Sequence, residues 1–503
     1  MKRLIGLFLP LWFAACAPVL PPPGTLVIGV ETGPATLDPR LAADAASANA
    51  CRLIYAALFR RDAQMRLVPQ AAEKLERKDP LTYTITLRRN LRFHAGAPLT
   101  AEDVRYTLLS IVDEKSPSPL KGSLGEVAAV ETPDPFTLVV RLKKPFAPFA
   151  GGLTFGIVPR GAGEELAHRP RGAGPFRFVS YEPGERLTLE RNPDYMDGPP
   201  RLERVVLKIV PDETVRLLEL KKHAVHLVMN PITPAVLPWL AAQRGIMVQS
   251  APGVNVSYLG FNMRDPALKN PLVRRAIAHA IDRGAIAARL LKGLAETTDT
   301  LIAPPNPFHA AGLLRYPYSP ETAKRLLDEA GYPDPGNGRP RLTLAFKTSK
   351  NPTRRTQAEV FAEQLARVGI ALEIKSMEWG SFFGDIKNGN FQVYSLTWTG
   401  IADPDILHFI FHSSSSPPAG ANRGGYANPA LDRLLDEGRT VADEAGRKRV
   451  YDEVQRLLAE DLPFVTLWTG RNVAAMDKRL KGFIIHPDES LDSLAAAWLE
   501  GKE

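Results

Sequence analysis

The hydrophobic period of this chain switches repeatedly between two residues and roughly 3.6, and that alternation restricts the fold more than any other feature. Tyr83, Ile85 and Leu87 interleave with Thr82, Thr84 and Thr86; Phe136, Leu138, Val140 and Leu142, then Val205, Leu207 and Ile209, repeat the pattern. Each reads as a strand with one buried face. Between them lie helices with explicit start signals. Thr100 stands three residues before Asp103, an acidic capping partner. Asn270-Pro271, Ser319-Pro320 and Asn428-Pro429 each put a capping side chain before a first-turn proline. Val273, Ile277 and Ile281 follow the first at helical spacing; Gly331 closes the second; Val450, Val454, Leu457 and Leu458 form a later amphipathic run. The 45 prolines argue against an all-helical bundle, since proline interrupts helix interiors. No internal repeat is visible, and 503 residues suggest two or three folding units of the α/β class.

The N-terminus carries an address. Lys2 and Arg3 precede the short apolar run Leu4 to Phe13, and Phe13-Ala14-Ala15-Cys16 ends it with small residues before a cysteine. Spanning a bilayer takes roughly 20 apolar residues, so the run reads as an export signal, residues 1–16. Its ending resembles a bacterial lipobox, with Cys16 as the lipidated residue and Phe13 where leucine is commoner; the alternative is ordinary cleavage after Ala15. Residues 17–24, with Pro18, Pro21, Pro22 and Pro23, form a stiff tether. The protein is thus expected outside the cytoplasm, in the periplasm or on the outer face of the cell membrane, held by lipid. Two cysteines exclude a disulfide scaffold and a four-thiolate zinc site. Cys51 is expected as a small buried hydrophobe. A surplus of 63 Lys and Arg over 55 Asp and Glu, spread along the chain, gives no nucleic-acid-binding block.

An exported hydrolase is the natural competitor, and its signatures are missing. The chain has no Gly-x-Ser-x-Gly elbow, no His-Glu-x-x-His helix and no phosphate loop. Gly172-Ala173-Gly174 precedes a strand-like run, so it is no dinucleotide fingerprint. His408 and His412 share a helix face at metal-ligand spacing, but two ligands make no tight site, and packing or helix-end hydrogen bonding is the reading adopted. His223 and His226 are expected to face solvent. No enzyme activity, metal or cofactor is assigned.

Several segments then match one family. Leu81-Thr82-Tyr83-Thr84-Ile85-Thr86-Leu87-Arg88, Asn90-Leu91-Arg92-Phe93-His94 and Pro98-Leu99-Thr100-Ala101-Glu102-Asp103-Val104 resemble the hallmark of the family 5 solute-binding proteins, the peptide, dipeptide and nickel receptors of bacterial ABC importers. Gly33 to Pro39, Gly174-Pro175-Phe176, Arg191-Asn192-Pro193-Asp194-Tyr195, Phe261-Asn262, Val273 to Ile277 and Ala280 to Arg283 continue the resemblance in order, over about residues 25–500. Two departures stand out. His223-Ala224-Val225-His226 replaces a usual Gly-x-x-Asp turn, and Ile401 stands three residues after Trp398 where peptide receptors of the family carry an ammonium-binding aspartate.

The resemblance implies a type II periplasmic-binding-protein fold, two lobes joined by a double hinge crossing, plus an additional domain. The first domain would comprise 25–60, 172–265 and 469–503, the extra domain 61–171 and the second lobe 266–468. The crossings would fall near Asn262–Asp265 and Thr466–Gly470. The implied function is capture of an oligopeptide, dipeptide or similar polar solute between the lobes and delivery to membrane permease subunits by a monomer. A sensor or peptide-holding protein without a transport role, and a secreted hydrolase, are the alternatives. Trp398 is a candidate flat wall, or else core or hinge packing; Asp403 a candidate ammonium partner, or else a turn residue beside Pro404. Arg423, with Asn422 and Tyr426 in a small-residue loop, is a candidate carboxylate clamp or a surface ion pair. Thr36, after the first strand, is a candidate cleft residue.

Overall fold

The computed structural model describes residues 22–441 and 443–501; the export signal, Cys16 and most of the tether lie outside them. The expected capping devices are formed. The Asp103 carboxylate accepts from the Thr100 N–H at 2.8 Å and its hydroxyl at 3.0 Å, opening the helix Ala101–Val112. Asn270, Ser319 and Asn428 cap Pro271–Ala280, Pro320–Glu329 and Pro429–Thr440 through their side chains. Among the described residues no helix is long and apolar enough to cross a membrane.

One eleven-stranded sheet runs through the molecule. From one edge its order is Ile370–Met377, Leu342–Ser349, Val393–Trp398, Ile246–Phe261, Phe464–Asp477, Leu227–Met229, Thr25–Val30, Arg204–Ile209, Arg186–Arg191 and Phe176–Glu182, with Ala295–Thr297 pairing off this path on Phe464–Asp477. The two long strands at its centre, Ile246–Phe261 and Phe464–Asp477, are antiparallel and carry the chain across the molecule. Their ladder is continuous from Ile246↔Asp477 to Pro252↔Arg471, breaks, and resumes at Val256↔Thr469. The break lies before the Asn262–Asp265 turn and opposite the stretch around Gly470. Gly253 sits in it because a Cβ there would come within 2.8 Å of the Gly470 carbonyl oxygen. Within the break the Val254 N–H donates to the Pro487 carbonyl at 3.2 Å, and beside it the Asn472 side chain holds the same segment, Nδ2 donating to the carbonyls of His486 and Pro487 at 2.9 and 3.0 Å.

Separate cores lie on either side of this pair. Leu26, Ile28, Leu53, Val205, Leu207, Ala474 and Leu494 belong to one, which spans sequence-distant parts of the chain. Leu259, Val273, Ile277, Phe346, Phe361 and Leu467 belong to another, beside an aromatic cluster holding Tyr258, Tyr394 and Phe464. A four-stranded antiparallel sheet, Ala72–Asp79, Thr82–Leu87, Thr137–Leu142 and Val127–Asp134, has its own core from Ala56 to Ala173. Its chain leaves the first lobe after Ile54 and returns through Gly172-Ala173-Gly174. These glycines are needed because a Cβ on Gly172 would lie 1.9 Å from the Ile54 carbonyl oxygen; Gly174 N–H donates to the same oxygen at 2.8 Å. The tip of the hairpin Phe59–Arg61/Leu67–Pro69 extends the other way: Met65, 1% exposed, is buried within the aromatic cluster of the second lobe.

His223 and His226 do not both face solvent, which corrects the sequence reading. His223 adopts φ 57°, the left-handed conformation that glycine ordinarily supplies, and its Nδ1 lies 2.8 Å from Asp477 Oδ2. His226 is 4% exposed, and its Nδ1 accepts from the Val27 N–H at 3.0 Å. A histidine acceptor thus satisfies a buried strand amide beside a turn that a histidine, not a glycine, closes. Burial pushes the pKa of His226 from 6.5 down to about 4. Its folded pKa therefore lies below its unfolded one, so the unfolded state binds more protons between those values. The contribution of His226 is complete above pH 6.5 and is lost as pH falls towards 4. We expect His226→Asn to reduce acid destabilisation at pH 4, relative to pH 7.5, by about 3 kcal/mol in urea titrations. Identical pH profiles for variant and parent would contradict this.

Candidate functional site

A cavity of about 700 Å3 lies where the two lobes and the four-stranded domain meet. The helix Ala45–Ile54, capped by Asp44 through Ser47, presents Arg52 from the first lobe, and the C-terminal segment adds Asp488 and Asp492. The four-stranded domain contributes Arg60 and Arg61 from its hairpin and Gly151 and Gly152 from the short helix Phe149–Gly152. The second lobe contributes Thr399 to Asp403, Asp405 and Arg439, from the end of the strand Val393–Trp398 onward.

Most of these charges are committed to one another. Arg447 grips Asp403 with both terminal nitrogens, at 2.6 and 2.9 Å. Burial alone would raise the Asp403 pKa, but the charge and hydrogen bonds of Arg447 reverse it and leave the carboxyl below its usual range. Arg439 holds Asp405 at 2.7 and 3.0 Å. Arg52 holds Asp488 at 2.7 Å; there too, burial opposes ionisation and Arg52 outweighs it. Arg439 also joins the second lobe to the four-stranded domain, accepting through its carbonyl from the Ala147 N–H at 2.6 Å and placing its guanidinium 5.4 Å from the Phe146 ring centroid.

The residues singled out from the sequence occupy different surroundings. Asp403 lines the cavity with its carboxylate held by Arg447, and Ile401 lines it beside Asp403. Trp398 lies outside the cavity wall; its ring is nearly parallel to Tyr258, 12° apart, with centroids at 6.3 Å. Arg423 sits over the rings of Trp398 and Phe383, at 5.4 and 5.3 Å, and borders a separate basic hollow with Arg264 and Lys387. Asn422 and Tyr426 are buried: Asn422 Nδ2 donates to the Tyr426 carbonyl at 2.7 Å, and the Tyr426 hydroxyl to Asp461 at 2.6 Å. Thr36 forms a turn in which its hydroxyl accepts from the Asp38 N–H at 3.1 Å. Cys51 is buried beside the cavity, and burial pushes its thiol pKa up. Sequence reasoning missed Arg52, Arg60, Arg61, Arg439, Asp405, Asp488 and Asp492, because they meet only in space and share no local spacing.

His408 and His412 stack at 4.3 Å and approach Asp436, with one donor atom of each of the three within 4.8 Å of the others. Arg439 Nη1 donates to His408 Nε2 at 3.3 Å, and the Ser414 N–H donates to His412 Nδ1 at 3.1 Å. His412 Nε2 therefore carries the proton and faces Asp436 at 3.6 Å. Both ring nitrogens of His408 and Nδ1 of His412 are thus occupied, by Ser415, Arg439 and Ser414, while His412 Nε2 has no hydrogen-bond partner.

A family model described as bacterial extracellular solute-binding proteins, family 5 middle, matches residues 66–420. The chain is 27% identical to the oligopeptide-binding protein AppA of Bacillus subtilis, over 95% of this chain and 92% of that one. It is 28% identical to the glutathione-binding protein GsiB of Salmonella typhi, over 92% of each chain. The crystal structure of the ABC transporter substrate-binding protein CtaP of Listeria monocytogenes superposes with a TM-score of 0.85 at 27% identity, covering 95% of this chain and 99% of that one.

Removing one member of the Asp403–Arg447 pair leaves a buried carboxylate uncompensated. Arg447→Met should therefore cost about 3–5 kcal/mol of stability, and the double variant Asp403→Asn/Arg447→Met should recover most of it. Chemical denaturation of the three variants decides; equal stability of Arg447→Met and the parent would contradict the pairing.

Proposed function

The chain belongs to the family 5 bacterial extracellular solute-binding proteins, and on that footing we propose that it is the substrate-binding component of an ABC importer, taking an oligopeptide, dipeptide or similar polar solute and handing it to a membrane permease. The observation that carries this reading is the interlobe cavity, whose walls come from both lobes and the four-stranded domain. A ligand seated there touches surfaces that a hinge can separate. Closure is favoured only by a ligand that binds the closed form more tightly than the open one, and contact with both walls supplies that difference.

The break in the central ladder between Pro252 and Val256 is the proposed hinge, since both crossing strands pass through it side by side and the regular pairing stops there. Met65 and the Ala147–Arg439 hydrogen bond act as closing contacts between the four-stranded domain and the second lobe. Ile401 and Asp403 form the second-lobe wall. Trp398 and Arg423 support that wall from behind, the ring through Tyr258 and the guanidinium through the ring. The protein acts as a monomer outside the cytoplasm, held to the membrane by lipid on Cys16 behind the proline-rich tether.

Ligand binding must stabilise the folded form, by about 2.7 kcal/mol when ligand is at 100 times its Kd. A melting screen of the purified protein against short peptides, glutathione and free amino acids should show a concentration-dependent rise with at least one class. A flat response across all of them would contradict the receptor reading.

A further inference from the structure

The short helix Ile406–Phe411 packs on Pro429–Thr440, and the two put four donor side chains together outside the ligand cavity. Sequence spacing offers only His408 and His412; the fold adds Asp432 and Asp436, which also stand four residues apart on one helix. His408 Nε2 lies 3.4 Å from Asp436 Oδ1. His412 Nε2 lies 3.6 Å from Asp436 Oδ2 and 4.0 Å from Asp432 Oδ1. Zinc bonds of about 2.0–2.1 Å at tetrahedral angles set neighbouring donor atoms about 3.3 Å apart, so these gaps approach those of a metal's coordination sphere. The histidine side chains are only 12% and 13% exposed, while Asp436, at 65%, closes the outer side. The buried Nε2 of His412 has no hydrogen-bond partner.

We propose that His408, His412, Asp432 and Asp436 form a structural site for a zinc-type divalent cation, which clips the helix Ile406–Phe411 to Pro429–Thr440. Charge balance favours it. Asp405 holds the neighbouring Arg439 guanidinium at 2.7 and 3.0 Å and offsets its charge, which leaves Asp432 and Asp436 to match a dication. Arg439 touches His408 Nε2 through Nη1 alone, at 3.3 Å, so a metal taking that lone pair leaves the grip on Asp405 whole. At His412 the ring proton passes from Nε2 to Nδ1, where Ser414 Oγ at 2.7 Å accepts it in place of the Ser414 N–H contact, and the ring keeps one proton throughout. The Ser413 N–H donates to Asp432 Oδ1 at 2.9 Å and orients that carboxylate. The two rings, 14° from parallel, must rotate for both lone pairs to meet at one point. Asp405, at the start of the first helix, and Arg439, in the last turn of the second, both line the ligand cavity, so the clip steadies one wall of the cleft from behind.

The test is titration of the untagged, chelator-stripped full chain with zinc chloride at neutral pH, followed by desalting and metal analysis. The parent should retain one zinc per chain, and its melting temperature should rise with zinc concentration, since an ion bound by the folded form alone stabilises it. His412→Ala and Asp436→Asn should each weaken zinc binding at least about tenfold, the least that loss of even an outer partner of a ligand costs. The double variant His408→Ala/His412→Ala should retain no zinc and show no zinc-dependent melting shift. Asp436 is exposed, so Asp436→Asn leaves the fold intact and decides the matter should a histidine variant fold poorly. Failure of the parent to retain zinc overturns the inference. So does retention that Asp436→Asn leaves undiminished, because the ion is then held elsewhere on the surface. Neither result touches the receptor reading, which stands on solute binding in the cavity.

Discussion

The antiparallel pairing of Ile246–Phe261 with Phe464–Asp477 is the constraint on which the rest of the molecule depends. The other strands of the large sheet are added outward from this pair, on one side into the first lobe and on the other into the second, except that Ala295–Thr297 pairs with the second-lobe end of Phe464–Asp477. The pair alone belongs to both. A sheet continuous through two lobes would hold them rigidly, but the ladder gives way at Pro252–Val256, where the Val254 N–H turns to the Pro487 carbonyl. Beside the break, Asn230 Oδ1 accepts from the Val473 N–H at 2.9 Å, extending the pairing with the strand Leu227–Met229, and its Nδ2 donates to Asn472 Oδ1 at 3.1 Å. Backbone polarity is thereby satisfied without fixing the angle between the halves as a regular ladder would.

The cleft is built on a second principle, the pairing of charges before any ligand arrives. Isolated ions in a closing cavity carry a large desolvation cost, so Asp403, Asp405 and Asp488 each sit with an arginine. Such fixed pairs shape the walls and orient the guanidinium groups without demanding a ligand of opposite charge. Under the proposed function, selection of the ligand falls to the groups without an ion pair and to the backbone and apolar surface around Ile401.

Much of the fold was legible in the sequence. Period-two runs gave strands at 82–87 and 204–209, and the Asn-Pro and Ser-Pro caps fixed three helix starts, because these signals are local and carry their own hydrogen-bond chemistry. The family segments were legible for the same reason. Gly172 and Gly174 show why: the backbone there presses on the Ile54 carbonyl, and only glycine leaves room. His226 was misread because its burial depends on the Val27 amide, 199 residues away, which no spacing reveals. The cleft was hardest for the same reason. Asp403 could be named from its nearness to Trp398, but its partner Arg447 lies 44 residues on, and Arg60 and Asp492 come from opposite ends of the chain. Trp398 looked like a wall from its sequence neighbourhood, while its stacking on Tyr258 is set by cross-strand register.

The central claim is that the two halves close on a guest across the broken ladder. Small-angle X-ray scattering of the full chain, first freed of bound ligand by partial unfolding and dialysis and then saturated with a ligand proven by melting shift, tests it most directly. The account predicts a smaller radius of gyration and a narrower distance distribution in the saturated protein. Superimposable curves, with binding demonstrated on the same samples, would contradict it.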